Sequence, residues 1–150
     1  MSKPLVKVSC LLLILCSSQA WSAGLMKQGL WEVRMKSDMT RSIADSPDGS
    51  MTSRLCISKE MAEREEIPGT VSTSLGCQAV DQHTGGGSYS ARIVCDSPRL
   101  KGEGSLKALF KGKESYTSTY DFKGSARGRP LNMHQESSGR WLSADCGSER

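Results

Sequence analysis

The stretch Trp31-Glu-Val-Arg-Met-Lys36 alternates large apolar side chains with charged ones along its whole length. Successive side chains of an extended chain point to opposite faces, so the Trp, Val and Met side chains would share one face and the three charged groups the other. Such strict period-two alternation predicts a half-buried β-strand. We expect Trp31 to be buried.

The same alternation recurs along the rest of the chain. Leu109 interrupts it in one segment, because an apolar residue there lies between two others, Ala108 and Phe110. The further segments with this pattern lie at 51–57, 89–95, 106–111, 116–122, 131–134 and 141–142, with a weaker one at 77–82.

Turn signals separate these segments. Glycine provides the positive φ that tight hairpins need. The predicted turns are Asp45-Ser-Pro-Asp-Gly49, Thr84-Gly-Gly-Gly-Ser88, Lys111-Gly-Lys113 and Ser137-Ser-Gly-Arg140. Short strands with one apolar face, joined by polar turns, predict a mainly β fold. We expect a single curved antiparallel sheet, or a small partly open barrel, of about seven short strands.

One segment favours a helix instead. Ser58-Lys-Glu-Met-Ala-Glu-Arg-Glu-Glu66 is rich in helix formers, with Ser58 as a predicted N-cap and Glu60 in the first turn. Ile67-Pro-Gly69 would end it. We predict one short helix of about two turns near residues 58–66.

The N-terminus has the order of a secretory signal peptide. Lys3 and Lys7 precede the apolar run 11–15, and small residues follow at 18–23. The run is shorter than the roughly 20 residues that span a bilayer, so it predicts no membrane anchor. We expect residues 1–22 to be a cleaved signal and residues 23–150 to form one exported, periplasmic domain, with the cut after Ala20, Ser22 or Ala23.

Removal of the signal leaves four cysteines: Cys56, Cys77, Cys95 and Cys146. An even number in an exported chain predicts two disulfides. Three pairings are possible and spacing does not choose among them; we expect Cys56–Cys77 with Cys95–Cys146. Metal binding is disfavoured because the chain has no Cys-x-x-Cys pair.

Composition limits the classes of function. Without residues 1–22 the chain keeps 18 basic and 16 acidic residues, so its formal net charge falls from +4 to +2. No cluster of Lys and Arg favours nucleic-acid binding. Apolar residues number 42 of 128, which predicts a thin core that depends on its disulfides.

The sequence has little that indicates catalysis. It has two histidines, His83 and His134, and no Gly-x-Ser-x-Gly motif. We therefore expect no catalytic residue, no metal and no cofactor, and we do not expect an enzyme.

Several segments resemble the domain of unknown function 3617 family. They are Gly29-Leu-Trp-Glu-Val33, Leu55-Cys-Ile-Ser-Lys-Glu-Met61, the isolated Cys77, Tyr89-Ser-Ala-Arg-Ile-Val-Cys95 and Gly139-Arg-Trp-Leu-Ser-Ala-Asp-Cys-Gly147. The resemblance covers nearly all of residues 23–150. It implies an exported bacterial protein, mostly periplasmic, and it implies no activity.

The leading hypothesis is a non-enzymatic binding or interaction module for a small ligand or a periplasmic protein. Trp141, Tyr116 and Tyr120 are weak candidates for ligand contacts, with a core role as the alternative. A second hypothesis is a secreted inhibitor, for example of a cell-wall hydrolase, which inserts the loop 137–141 into a cleft. An exposed Trp141 would favour the inhibitor, and a buried one the binding module.

Overall fold

The computed structural model describes residues 24–38, 48–64, 67–68 and 73–148. The predicted signal peptide therefore lies outside the described residues. In the described part, seven strands form one open sheet in which all neighbouring strands are antiparallel. The predicted mainly β fold with one curved antiparallel sheet is confirmed.

The strands follow the predicted alternation, and several are longer than expected. Their bounds are β1 Gly29–Ser37, β2 Ser50–Ile57, β3 Cys77–Gly85, β4 Ser88–Asp96, β5 Leu100–Lys111, β6 Ser115–Ala126 and β7 Arg129–Ser143. Their order across the sheet is β2-β1-β7-β6-β5-β4-β3. The last five strands form a meander, and β1 pairs with β7, so the sheet joins the two ends of the domain.

The apolar face of the sheet forms the core. Trp31 and Ile93 are 0% exposed and Leu106 is 1% exposed, although they lie on three different strands. Met26 before β1 and Ala62 and Ile67 after β2 belong to the same buried cluster. The predicted burial of Trp31 is confirmed.

The helix α1, Lys59–Glu63, is shorter than predicted within the described residues. Its cap is the predicted one, because Ser58 Oγ accepts a hydrogen bond from the Met61 amide at 3.2 Å. Residues 65–66 of the predicted helix lie outside the described part. A 3-10 turn, Thr73–Leu75, precedes β3.

Two predicted hairpins are confirmed. β3 and β4 are joined by Gly86 and Gly87, whose φ values are 58° and 75°. Positive φ at both central residues is what a two-residue type I′ hairpin requires. Gly112 has a φ of 64° and lies in the turn between β5 and β6. The first predicted turn is described only from Asp48 onward.

The turn predicted at Ser137-Ser-Gly-Arg140 is wrong. These residues lie inside β7, so the segments 131–134 and 141–142 belong to one strand, and Arg127-Gly128 forms the turn between β6 and β7. Gly139 faces Tyr116 across the pair, and a Cβ at Gly139 would lie 2.1 Å from Tyr116 Cε1. The glycine is there because an aromatic ring lies over it, as in the aromatic rescue of sheet glycines.

The expected disulfide pairing is also wrong. Cys77 bonds Cys95, and Cys56 bonds Cys146. Cys77 and Cys95 are direct partners in the β3–β4 register, with Cα atoms 4.0 Å apart. Cys146 follows β7 and reaches Cys56 on β2, the strand beyond β1. The predicted Cys56–Cys77 bond would join β2 and β3, which are the two opposite edges of the sheet.

A matched pair of glycine substitutions tests the packing at Gly139. We expect Gly139→Ala to lower the free energy of unfolding by about 1–3 kcal/mol, because the new methyl group displaces the Tyr116 ring. Gly85→Ala is the control, since a Cβ there meets nothing within 4 Å. Urea unfolding measures both; equal stability of the two variants would contradict the described packing.

Candidate functional site

Two of the sequence-predicted ligand candidates, Tyr116 and Tyr120, lie in the core. They are 3% and 5% exposed. The Tyr116 ring packs against Trp31 and Phe110, each with ring centroids 5.9 Å apart. Burial raises the pKa of both phenols to about 12. Neither side chain is presented to a ligand at the surface.

The third candidate, Trp141, is half-buried at the margin of the core. It lies opposite Trp31 in the β1–β7 register. Its indole Nε1 donates a hydrogen bond to the Gln28 carbonyl at 3.0 Å, and Lys27 Nζ lies 4.6 Å from the ring centroid. These contacts hold the segment before β1 against β7, which is a structural role. The loop on which the inhibitor hypothesis depended is part of β7.

The polar face of the sheet carries a groove of about 560 Å³. A row of register partners crosses it: His134 on β7, Asp121 on β6, Ser105 on β5 and Arg92 on β4. These four residues share one face because direct cross-strand partners point the same way. A rigid sheet therefore fixes their relative positions.

The closest charged contact in this row joins β7 and β6. His134 Nδ1 lies 2.6 Å from Asp121 Oδ1, and His134 Nε2 lies 3.8 Å from Glu136 Oε1. The hydrogen bond to Asp121 raises the pKa of His134 above its ordinary 6.5, with smaller contributions from the charges of Asp121 and Glu136. The protonated ring is the form that this site favours.

Arg92 is held at the other end of the row by two carboxylates. Its Nε lies 3.0 Å from Asp81 Oδ2 and its Nη1 lies 3.5 Å from Glu103 Oε2. Asp81 has a φ of 50° and lies at an irregularity in β3, where the register with β4 shifts. The bulge turns the Asp81 carboxylate toward Arg92, and the guanidinium is positioned from both sides.

A second row of register partners runs beside the first: Asn132 on β7, Lys123 on β6 and Glu103 on β5. Lys123 makes no ion pair with any residue that the structure describes. The groove thus presents the ammonium group of Lys123 and the amide of Asn132 beside charged groups that already have partners.

The arrangement does not match a nucleophilic triad. In such a triad the histidine lies between the serine and the carboxylate. Here Asp121 lies between His134 and Ser105, so the histidine is separated from the hydroxyl by a whole strand. His83 lies on β3, three strands away from β6 and four from β7, and does not join His134. Among the described residues, no three His, Cys, Asp or Glu side chains are arranged to hold a metal ion.

Comparison with known families identifies the chain. The family model described as "Protein of unknown function (DUF3617)" matches residues 26–146, and the chain belongs to this family. The match covers all seven strands and all four cysteines of the two disulfides. Comparisons with curated proteins and with solved structures find no match. No helix in the described ranges has the length and apolar character needed to cross a bilayer.

The His134–Asp121 contact predicts a pH-dependent stabilisation. The pKa of His134 is raised in the folded state. The contact therefore contributes fully to the free energy of unfolding below the pKa of His134 in the unfolded chain, about 6.5, and this contribution is lost as the pH rises through the pKa of His134 in the folded protein. We expect Asp121→Asn to lower the pKa of His134 in an NMR titration. We also expect it to lower the melting temperature more at pH 5.5 than at pH 8.5, because the histidine is protonated to a greater extent at the lower pH. Both decreases should be small, since the two side chains are about half exposed. The ring signals of His83, far from Asp121, serve as the control. A His134 pKa that does not change in the variant would contradict the contact.

Proposed function

We propose that this protein is an exported, non-enzymatic binding module that holds a small polar ligand in the groove on the polar face of its sheet. The proposal rests on the difference between the side chains of the two faces of the sheet. Most of the aromatic side chains that the structure describes are buried on the apolar face, whereas Arg92, Lys123, Asn132 and His134 line an open groove on the other. Polar groups fixed on neighbouring strands are a suitable frame for recognising a small molecule.

The charges of the groove favour a ligand that carries both signs. Lys123 is available for a carboxylate, and the amide of Asn132, its register partner, adds a neutral donor. The carboxylate of Glu103, on the other side of Lys123, contacts Arg92 through Oε2 and can accept a further hydrogen bond from an ammonium group. We infer that the ligand is an amino acid or a short peptide, because such a molecule carries both a carboxylate and an ammonium group.

The absence of turnover is part of the proposal. The acid–base pair in the groove is already closed by a 2.6 Å contact, and the row places no hydroxyl beside the histidine. Such a site can bind and orient a ligand, but it lacks the activated nucleophile that covalent chemistry needs. This geometry supports a non-enzymatic role.

Export is the other part of the proposal. Its support is the signal-like order of residues 1–22 together with two disulfides, a combination typical of proteins in oxidising compartments. The chain should accumulate in the periplasm with a mature N-terminus between Trp21 and Gly24, as read by intact mass. A mass that retains residues 1–20 would contradict this part alone.

Titration with a panel of free amino acids and dipeptides tests the binding site. We expect members of the panel to shift the NMR signals of Lys123 and Asn132, and Lys123→Gln to weaken binding about tenfold, the effect of losing one charged hydrogen bond. Lys101→Gln is the matched control, because Lys101 is an exposed lysine of β5 that does not line the groove. The proposal is wrong if no member of the panel shifts these signals, or if both variants bind alike.

A further inference from the structure

The hairpin between β5 and β6 presents a second, separate surface. Lys107, Leu109 and Lys111 follow one another on the polar face of β5, and Lys113 lies in the turn. Leu109 is 66% exposed, the largest exposure among the large apolar side chains that the structure describes. We call these four residues the lysine–leucine tip.

The positive charges of this tip are not neutralised locally. Lys107, Lys111 and Lys113 make no ion pair within the described part of the chain. The acidic residue of the turn, Glu114, is paired with Lys27 instead. The tip therefore combines three uncompensated cations with one exposed apolar side chain.

The tip has a rigid support. The Glu114 carbonyl accepts a hydrogen bond from the Trp141 amide at 2.7 Å, and the Lys113 carbonyl accepts one from the Lys27 amide at 3.0 Å. Phe110, between Leu109 and Lys111, points to the opposite face and packs against Tyr116. Leu109 is thus exposed on a strand whose other face is tied to the core.

The position of the tip relates it to the N-terminus. Lys27, which bonds the tip, lies three residues after Gly24, the first described residue. The tip therefore lies beside the segment that leads into β1.

We propose that the lysine–leucine tip binds the anionic surface of a lipid bilayer. The three ammonium groups contact lipid phosphates, and Leu109 enters the boundary between headgroups and acyl chains. An anionic bilayer fits better than a polyanion in solution, because only the bilayer offers an apolar layer behind its charges. The contact is peripheral and reversible, and it differs from a membrane-spanning anchor. It is independent of the ligand groove.

Vesicle sedimentation of the exported protein tests this proposal. We expect binding to vesicles of phosphatidylcholine mixed with phosphatidylglycerol, weak binding to phosphatidylcholine alone, and a decrease with added salt. Each of Lys107→Gln, Lys111→Gln and Lys113→Gln should reduce partitioning about fivefold, which corresponds to the usual contribution of one lysine near an anionic surface.

Two further variants separate the contributions. Leu109→Ser should weaken binding while leaving its salt dependence unchanged, and thermal unfolding should not change because the side chain is exposed. Lys101→Gln is the control, since Lys101 lies at the other end of β5, beside Asp96. Equal binding to both kinds of vesicle, no binding to either, or an equal loss in Lys101→Gln and Lys111→Gln would each overturn the proposal. Binding that is insensitive to Leu109→Ser would overturn it too, because the tip would then be a simple polycation.

Discussion

A single β-sheet must bury its apolar face without a second sheet to cover it, and the rest of this structure follows from that constraint. The sheet is curved, and Trp31 on β1 and Ile93 on β4 are both completely buried although three strands lie between theirs. A chain with so few apolar residues gains little from its core alone. The disulfides Cys56–Cys146 and Cys77–Cys95 each tie an edge strand to a neighbouring part of the domain.

The same constraint decides which side chains remain for function. Large rings fill the space on the apolar face, and glycines on neighbouring strands leave room for them. A Cβ at Gly104 would lie 3.0 Å from the Tyr120 ring and 3.2 Å from the Phe122 ring. Because the aromatic residues serve the core, both proposed contact surfaces use charged groups on the polar face. The lysine–leucine tip also uses one exposed apolar side chain, that of Leu109.

Alternation alone predicted the strands, because a half-buried sheet imposes it locally. It did not predict the pairing, which depends on turns and bulges. Asp121 lies six residues before Arg127 and His134 six after Gly128, so the contact could have been found once that turn was recognised. Cys77 lies nine residues before Gly86, but Cys95 only eight after Gly87. The irregularity in β3 absorbs the extra residue and brings both cysteines to one face.

The central claim is that the apolar face of the sheet is closed and unavailable to ligands. Tyrosine nitration at neutral pH, read by peptide mass, tests it most directly, because the reagent needs access to the phenol and its ionised form. Burial of Tyr116 and Tyr120 blocks access of the reagent to the phenols. It also opposes their ionisation, because it raises the pKa of each to about 12. We predict that both tyrosines stay unmodified in the folded protein and are nitrated after reduction and unfolding. Nitration of either one in the folded protein would contradict the closed core and would return that residue to the list of possible ligand contacts.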